Sequence, residues 1–304
     1  MRWLLDMFPW ITNGPLVLVQ LLSGVTAGML LFIVAVGLSL IFGVTRIVNF
    51  AHGSFYMVGA FLSYSVSVTW VKSADGFWLA LVLVPLGVAA LGALIEILLL
   101  RRIYRREEIF QLLLTFALVL ILGDLVKLAW GAENRLLHRP ELLAGSYNVL
   151  GQPFPVYSLL VLALGPLLAL LLWFIFFATR WGILIRAATE DREMVGALGI
   201  NQSWLYTSVF AFGSWLAGIA GVLAAPLVNI APGMDFFIII QTFVVVVVGG
   251  LGSFPGSILS ALIIGVLSSF GILIFPSVSM VLIFLIMALV LIVRPWGLLG
   301  RPET

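Results

Sequence analysis

The side chains that could do chemistry in this sequence are few, and most kinds of catalytic site are missing. The 304 residues include no cysteine, so the chain has no thiolate nucleophile and no cysteine metal ligand. Its two histidines, His52 and His138, lie too far apart in sequence for metal-ligand spacing. The sequence contains no GxxxxGK[ST] nucleotide loop and no His/Glu cluster, Ser–Lys pair or Asp dyad typical of an intramembrane enzyme. We therefore expect no enzyme activity, no metal and no cofactor.

One group of polar residues stands directly before a short apolar run. Asn49, His52 and Ser54 lie in or beside the segment Arg46–Gly53, and Asn49 and Ser54 could cap a half-helix that begins near Phe50 or Phe55. The N-terminus of a half-helix offers free N–H groups and a partial positive charge to a carboxylate. The pattern predicts that these three residues line a substrate path. The alternative is that Asn49 and His52 only satisfy backbone groups at a helix break.

A second group ends another short apolar run. Gly249, Gly250 and Gly252 follow the stiff β-branched stretch Val244–Val248, and their glycine backbones allow a sharp turn. We predict a mobile break near the substrate path, and the alternative is close packing of helices at small residues. Gln241, inside the run, could hydrogen-bond a substrate or a neighbouring helix.

The most informative polar stretch is Thr179–Ser203, which is too long for a turn and too apolar for a solvated linker. A helix over Ala187–Leu198 places an apolar set on one side, with Glu190 and Asp191 inside that set. Gly199 then ends the helix. The apolar set comprises Ala187, Ala188, Met194, Val195 and Leu198.

Buried carboxylates are costly unless they are paired, so this helix face fits a protein surface that supplies apolar cover and basic groups. We therefore predict a docking helix. The alternative is a helix that lies among lipid headgroups with its acids toward water.

The rest of the sequence must position these groups inside a membrane. Apolar residues make up 63% of the chain and charged residues 9%, with a mean hydropathy of +1.24. Nine apolar runs predict an all-α bundle of about eight to ten spans in a single domain, 1–304. Six runs have at least 19 residues and can cross the bilayer. The three shorter runs are Phe55–Trp70, Phe236–Val248 and Ser279–Val293.

Positive charge predicts the orientation of the bundle. If successive runs alternate sides, nine arginines share one side, the cytoplasm, with the C-terminus, and residues 131–155 form the largest external loop. These arginines are Arg101, Arg102, Arg105, Arg106, Arg180, Arg186, Arg192, Arg294 and Arg301. Among the remaining charges, Asp124 and Lys127 are predicted to pair, and Glu96 to act as an anchor at the membrane edge.

Three stretches in order give the sequence a specific resemblance over nearly its whole length. Arg186–Ile200 resembles the cytoplasmic coupling motif of permeases of ATP-binding-cassette importers, especially the branched-chain amino acid permeases of the LivH type. Ile41–Ala60 and Val247–Gly256 resemble the same family. Ser54 departs from the pattern, because common relatives carry an acid there. The matching coupling positions are Ala188, Asp191, Ala197, Gly199 and Ile200.

The resemblance implies a multi-pass permease of the bacterial inner membrane that works with other proteins. It implies a second, related permease, two cytoplasmic ATP-binding subunits and a periplasmic or extracellular substrate-binding protein. It implies no nucleic acid. The expected cargo is a branched-chain or other hydrophobic amino acid, and relatives for urea, short amides or aromatic acids leave that choice open. An ion-coupled secondary transporter is the alternative class.

Overall fold

A computed structural model describes residues 13–71, 75–104, 106–274 and 276–300. Within them a helix forms at each of the nine predicted apolar runs, and six helices are long and apolar enough to cross a membrane. The predicted multi-pass helical bundle is thus confirmed. Arg105 and Arg301, from the predicted basic side, lie outside the described residues, as does Phe275 at the end of one run.

The helices follow in chain order. They are α1 Gly14–Thr45, α2 His52–Tyr64, α3 Gly76–Leu98, α4 Glu108–Trp130, α5 Val156–Ala178, α6 Arg180–Glu190, α7 Arg192–Ala197, α8 Gln202–Ala224, α9 Met234–Gly249, α10 Phe254–Ile274 and α11 Ser279–Val293. A π-helical segment, Ser65–Trp70, continues α2. Between α4 and α5, strands β1 (Ser146–Val149) and β2 (Gln152–Pro155) form an antiparallel hairpin.

Helices α1 and α8 form the centre of the bundle. Their most apolar windows are 83% and 72% buried, whereas the windows of α3, α4, α5 and α10 are only 22–39% buried. Apolar side chains exposed on those four helices suit contact with lipid or with a partner subunit, because both surroundings are apolar. Helices α1 and α10 run antiparallel, since Gln20 and Ser269 share hydrogen bonds while Phe32 contacts Phe254 further along.

The bundle has two opposite ends, which we call the arginine-rich face and the hairpin face. The arginine-rich face carries the 179–201 loop and the turn after α9, which meet where Gly43 approaches both Thr189 and Gly252. The hairpin face carries β1, β2 and the end of the α2 segment, where the Arg135 guanidinium lies over the Tyr64 ring. This separation agrees with the predicted alternation of sides.

Helices α2 and α9 start in the middle of the bundle. The His52 ring contacts α1 at Val34 and Gly37, which lie roughly 12–17 Å from the end of α1 at 1.5 Å per residue. Asp235, in the first turn of α9, bonds Ser54 in the first turn of α2. From this shared depth α2 runs to the hairpin face and α9 runs to the arginine-rich face. The two short runs are therefore half-helices whose N-termini meet.

Candidate functional site

The meeting point of α2 and α9 is a buried polar cluster, defined here as Asn49, His52, Ser54 and Asp235. All four are almost fully buried within the chain. His52 Nε2 lies 3.0 Å from the Val34 carbonyl oxygen, which can only accept, so Nε2 carries the proton. Ser54 Oγ donates to Asp235 Oδ2 at 2.8 Å. The structure thus brings the three predicted polar residues to one depth beside a carboxylate.

The predicted side-chain caps of this half-helix are wrong. Helix α2 begins at His52, its N-cap residue is Ala51, and no side chain caps it. The His52 N–H donates instead to the backbone carbonyl of Asn49 at 3.2 Å. Ala51 already has helical backbone angles, so the chain enters α2 through a backbone turn and the Asn49 side chain is released from capping. Both amide atoms of that side chain are buried without a hydrogen-bond partner in the described chain.

Asp235 is the site residue that sequence reasoning missed. It is 181 residues from Ser54, and its carboxyl Oδ1 has no hydrogen-bond partner among the described residues. Close contact requires Gly53, because a Cβ there would lie 2.5 Å from the Asp235 carbonyl oxygen. The available signal was an acid in the first turn of a short apolar run, where it favours the positive end of the helix.

An apolar cavity of about 270 Å³ lies beside the polar cluster. Its walls include Phe50, Ile239, Phe243 and Met287. Ile239 also packs against Gly53, the residue between His52 and Ser54, because its Cβ is 2.9 Å from the position that a Gly53 Cβ would take. Gln241 is half-buried on α9 and, six residues after Asp235, lies roughly 120° around the helix from it. Gln241 therefore does not belong to the cluster.

The glycine turn after α9 lies at the arginine-rich face, away from the cluster. Gly250 and Gly252 both have positive φ, at +103° and +80°. The C-terminal segment holds this turn, since the N–H groups of Leu298 and Leu299 donate to the Val248 and Gly249 carbonyls at 2.8 and 3.1 Å. A Cβ on Gly249 would lie 2.5 Å from the Gly256 backbone. Small-residue packing, the alternative to a mobile break, describes this contact.

The loop between α5 and α8 contains two short helices, so the predicted single helix over Ala187–Leu198 is wrong. Asp191 has extended backbone angles, and its carboxylate accepts from the Glu193 and Met194 N–H groups at 2.9 Å each. An N-terminal cap satisfies Asp191 better than a place inside a helix, because short polar side chains compete for backbone donors. The predicted stop at Gly199 is confirmed, with φ +82°.

The two helices divide the predicted docking residues. Val195 and Ala188 are buried in the chain's own core. Met194 is 56% exposed and Leu198 is 72% exposed, and Ala187 and Glu190 are also on the surface. Met194 and Leu198 therefore form the exposed apolar part of this loop.

Asp191→Ala is expected to fray α7, whereas Asp191→Asn should leave it intact. Asparagine caps as well as aspartate, and loss of a cap costs about 1 kcal/mol. Hydrogen exchange of the 192–197 amides, measured in detergent, should rise in the alanine variant only. Equal protection in both variants would contradict the capping role, and equal loss would show that the charge itself is required.

Glu96 lies near the arginine-rich end of α3, where an anchor at the membrane edge was predicted, but it is buried inside the chain and does not face the headgroups. Its carboxylate is 0% exposed and pairs with Arg101 at 3.2 Å. It also accepts from Tyr104 Oη at 3.1 Å and from Thr207 Oγ1 at 2.5 Å. Burial, reinforced by Glu96, raises the pKa of Tyr104, so the phenol stays a donor at neutral pH. This network ties the end of α3 to α8 at the arginine-rich face.

Glu96→Ala is expected to destabilise the fold by about 1–3 kcal/mol, because it leaves the Tyr104 and Thr207 donors without their buried acceptor, while the partly exposed Arg101 can still be solvated. Asp124 and Lys127 form the predicted pair at 3.1 Å on α4. The matched control for Glu96→Ala is Glu133→Ala, because Glu133 is exposed in the loop after α4, outside the spanning helices, and surface substitutions of this kind change stability by about 0.5 kcal/mol or less. Thermal unfolding in detergent should separate the two variants. Similar melting temperatures would contradict the importance of the buried network.

Comparison with known proteins gives consistent matches along the whole chain. Residues 20–291 match the family model described as the branched-chain amino acid transport system / permease component. The permease LivH of the high-affinity branched-chain amino acid transport system of Escherichia coli K12 is 30% identical over 301 residues, which cover 93% of this chain and 96% of LivH. BraD, the corresponding permease of Pseudomonas aeruginosa, is 29% identical with the same coverage.

A different permease of such systems is also similar. LivM of Salmonella typhimurium is 25% identical over 91% of this chain and 70% of LivM. No solved structure matches the chain.

Proposed function

Because this chain belongs to the family of branched-chain amino acid transport permeases, we propose that it is the membrane subunit of an ATP-driven importer of hydrophobic amino acids. The match to the family along residues 20–291 carries this proposal. The polytopic helical bundle fits it, since a permease must span the membrane and enclose a path. The chain's part in transport is the path and not the hydrolysis of ATP.

The polar cluster and the cavity are proposed to line that path. Two half-helix N-termini meet at mid-depth and offer partial positive charge, which suits the carboxylate of an amino acid. Irregular backbone is tolerated inside a membrane only where protein or a wet cavity covers it, and residues 46–51 are such a segment. The glycine turn lies farther along, toward the arginine-rich face.

The partners follow from the family. LivM is by name a second permease of a branched-chain amino acid system, and its similarity to this chain supports a pair of related permeases. One of two ATP-binding subunits would dock at the 179–201 loop on the arginine-rich face, which is then cytoplasmic, and the other would dock on the partner permease. A substrate-binding protein would deliver cargo to the hairpin face, from the periplasm of a bacterial inner membrane or from outside the cell.

The exposed apolar residues of the loop favour an ATP-driven importer over an ion-coupled transporter. Met194 and Leu198 are large, apolar and uncovered in this chain. Ala187 is also exposed on this loop and adds to the apolar surface. An ion-coupled transporter needs no subunit at this surface, so the two side chains would have no purpose there.

Co-expression with the products of the neighbouring genes tests the assembly. We expect a tagged chain to co-purify in detergent with one related permease and with two ATP-binding subunits. A chain that purifies alone, and that carries substrate in vesicles without ATPase subunits, would contradict the proposal.

A further inference from the structure

Asp235 is a carboxylate buried in the middle of the bundle, and its hydrogen bonding is incomplete. The residue is 2% exposed, its Oδ2 accepts from Ser54, and the carboxyl group also lies near the N–H groups of Asp235 and Phe236 at the start of α9. Oδ1 is buried without a partner in the part of the chain that the structure describes. Buried polar atoms in folded proteins are nearly always hydrogen-bonded, so an orphaned carboxylate oxygen calls for an explanation.

A second buried group beside the start of α2 is also unsatisfied. The Asn49 side chain is 1% exposed, and neither its oxygen nor its nitrogen has a partner within the described ranges. Asn49 is directly tied to the first turn of α2, because its carbonyl accepts the His52 N–H. One end of the cluster thus keeps a free carboxylate oxygen, and the other keeps an amide donor next to a helix N-terminus.

The cavity gives the cluster an apolar neighbour. Phe50, which lines the cavity, stands between Asn49 and the start of α2 in the sequence. Ile239, which also lines it, lies one helical turn after Asp235 on α9. At about 270 Å³ the cavity is smaller than the roughly 300–1,000 Å³ of ordinary ligand pockets. It therefore suits one aliphatic side chain and not a whole drug-sized or sugar-like ligand.

We propose that Asp235 receives the α-ammonium group of a hydrophobic amino acid, whose carboxylate lies at Asn49 and the start of α2 and whose side chain enters the cavity. The inference rests on the proposed function and names the group that recognises its substrate. A zwitterion satisfies both free ends of the cluster at once. Urea or a short amide carries no positive charge, so it leaves the buried carboxylate unneutralised.

Asp235→Asn separates this role from a merely structural one. Asparagine has nearly the same shape, still accepts from Ser54 and still suits the first turn of α9, but it has no charge for an ammonium group. We expect leucine uptake by the reconstituted complex to fall at least tenfold, while the complex remains assembled. The matched control is Asp124→Asn, which removes an exposed carboxylate on α4 and should transport like the unmodified complex.

Undiminished leucine uptake by the assembled Asp235→Asn complex would overturn the inference. If the unmodified complex transports no amino acid, the proposed function itself fails. If it transports and the asparagine variant transports equally well, only the role of Asp235 fails. The two failures are therefore distinguishable in one set of vesicles.

A second measurement covers an Asp235→Asn complex that does not assemble. The chain has no native cysteine, so Ser54→Cys gives it a single thiol beside Asp235. We expect a small cationic thiol reagent to label this cysteine during ATP turnover and leucine to slow the labelling. Labelling that leucine does not change, or no labelling in any state, would overturn the inference with Asp235 in place.

Discussion

Replacing Gly250 with valine is expected to remove most folded protein from the membrane. Gly250 has φ +103°, which a side chain strains, and its Cβ would lie 2.5 Å from the Gly300 nitrogen and 2.9 Å from the Trp296 oxygen. Backbone strain and overpacking each cost about 1–3 kcal/mol, so we expect a combined loss of about 3–5 kcal/mol. Thermal unfolding of the purified chain in detergent measures this loss.

Gly252→Asn is the matched control for that substitution. Gly252 also has positive φ, at +80°, but the nearest atom to its Cβ position is the Gly43 Cα at 3.4 Å, an ordinary contact distance. Asparagine tolerates the left-handed region, so this variant should lose only about 1 kcal/mol. If both variants unfold at the same temperature, the contact between the turn and the C-terminal segment does not stabilise the fold.

Replacing Leu198 with aspartate is expected to release the ATP-binding subunits. Leu198 is 72% exposed in this chain, so a charge there leaves the fold intact but cannot be buried in an apolar interface. We expect co-purified ATPase and ATP-dependent transport each to fall at least tenfold. Arg192→Ala is the control, because Arg192 lies roughly 160° around α7 from Met194 and should cost little.

Single cysteines sharpen the same prediction, because the chain has none of its own. Cysteines at Met194 and Leu198 should crosslink to cysteines placed in the ATPase, and one at Arg192 should not. A Leu198→Asp complex that keeps its ATPase would instead support a loop that lies among lipid headgroups.

The sequence predicts the bundle well because hydrocarbon imposes simple rules on length and polarity. A helix forms at each of the nine predicted apolar runs. Two of the three short runs, Phe55–Trp70 and Phe236–Val248, belong to helices that begin at mid-depth, as their length suggests. Gly199 was predictable for a similar reason, since one residue type suits a helix stop with positive φ.

The site was harder to predict because it depends on contacts between distant residues. Nothing near Asp235 in the sequence points to Ser54, and only the packing of α9 against Gly53 brings them together. The prediction of one continuous helix was wrong at Asp191 because this residue, two positions before Glu193, also fits an N-cap. The Asn49 side chain does not cap α2, because the His52 N–H donates to the Asn49 backbone carbonyl. Glu96 is buried because three donors, one from α8 and two from the turn after α3, converge on it.

Leucine uptake into proteoliposomes tests the central claim most directly. The vesicles contain this chain with its partner permease, both ATP-binding subunits and the loaded substrate-binding protein, and ionophores remove every ion gradient. We predict uptake that requires hydrolysable ATP on the side of the arginine-rich face and that continues with ionophores present. Uptake that an ion gradient drives without ATP, or no uptake of any hydrophobic amino acid by an intact complex, would contradict the account.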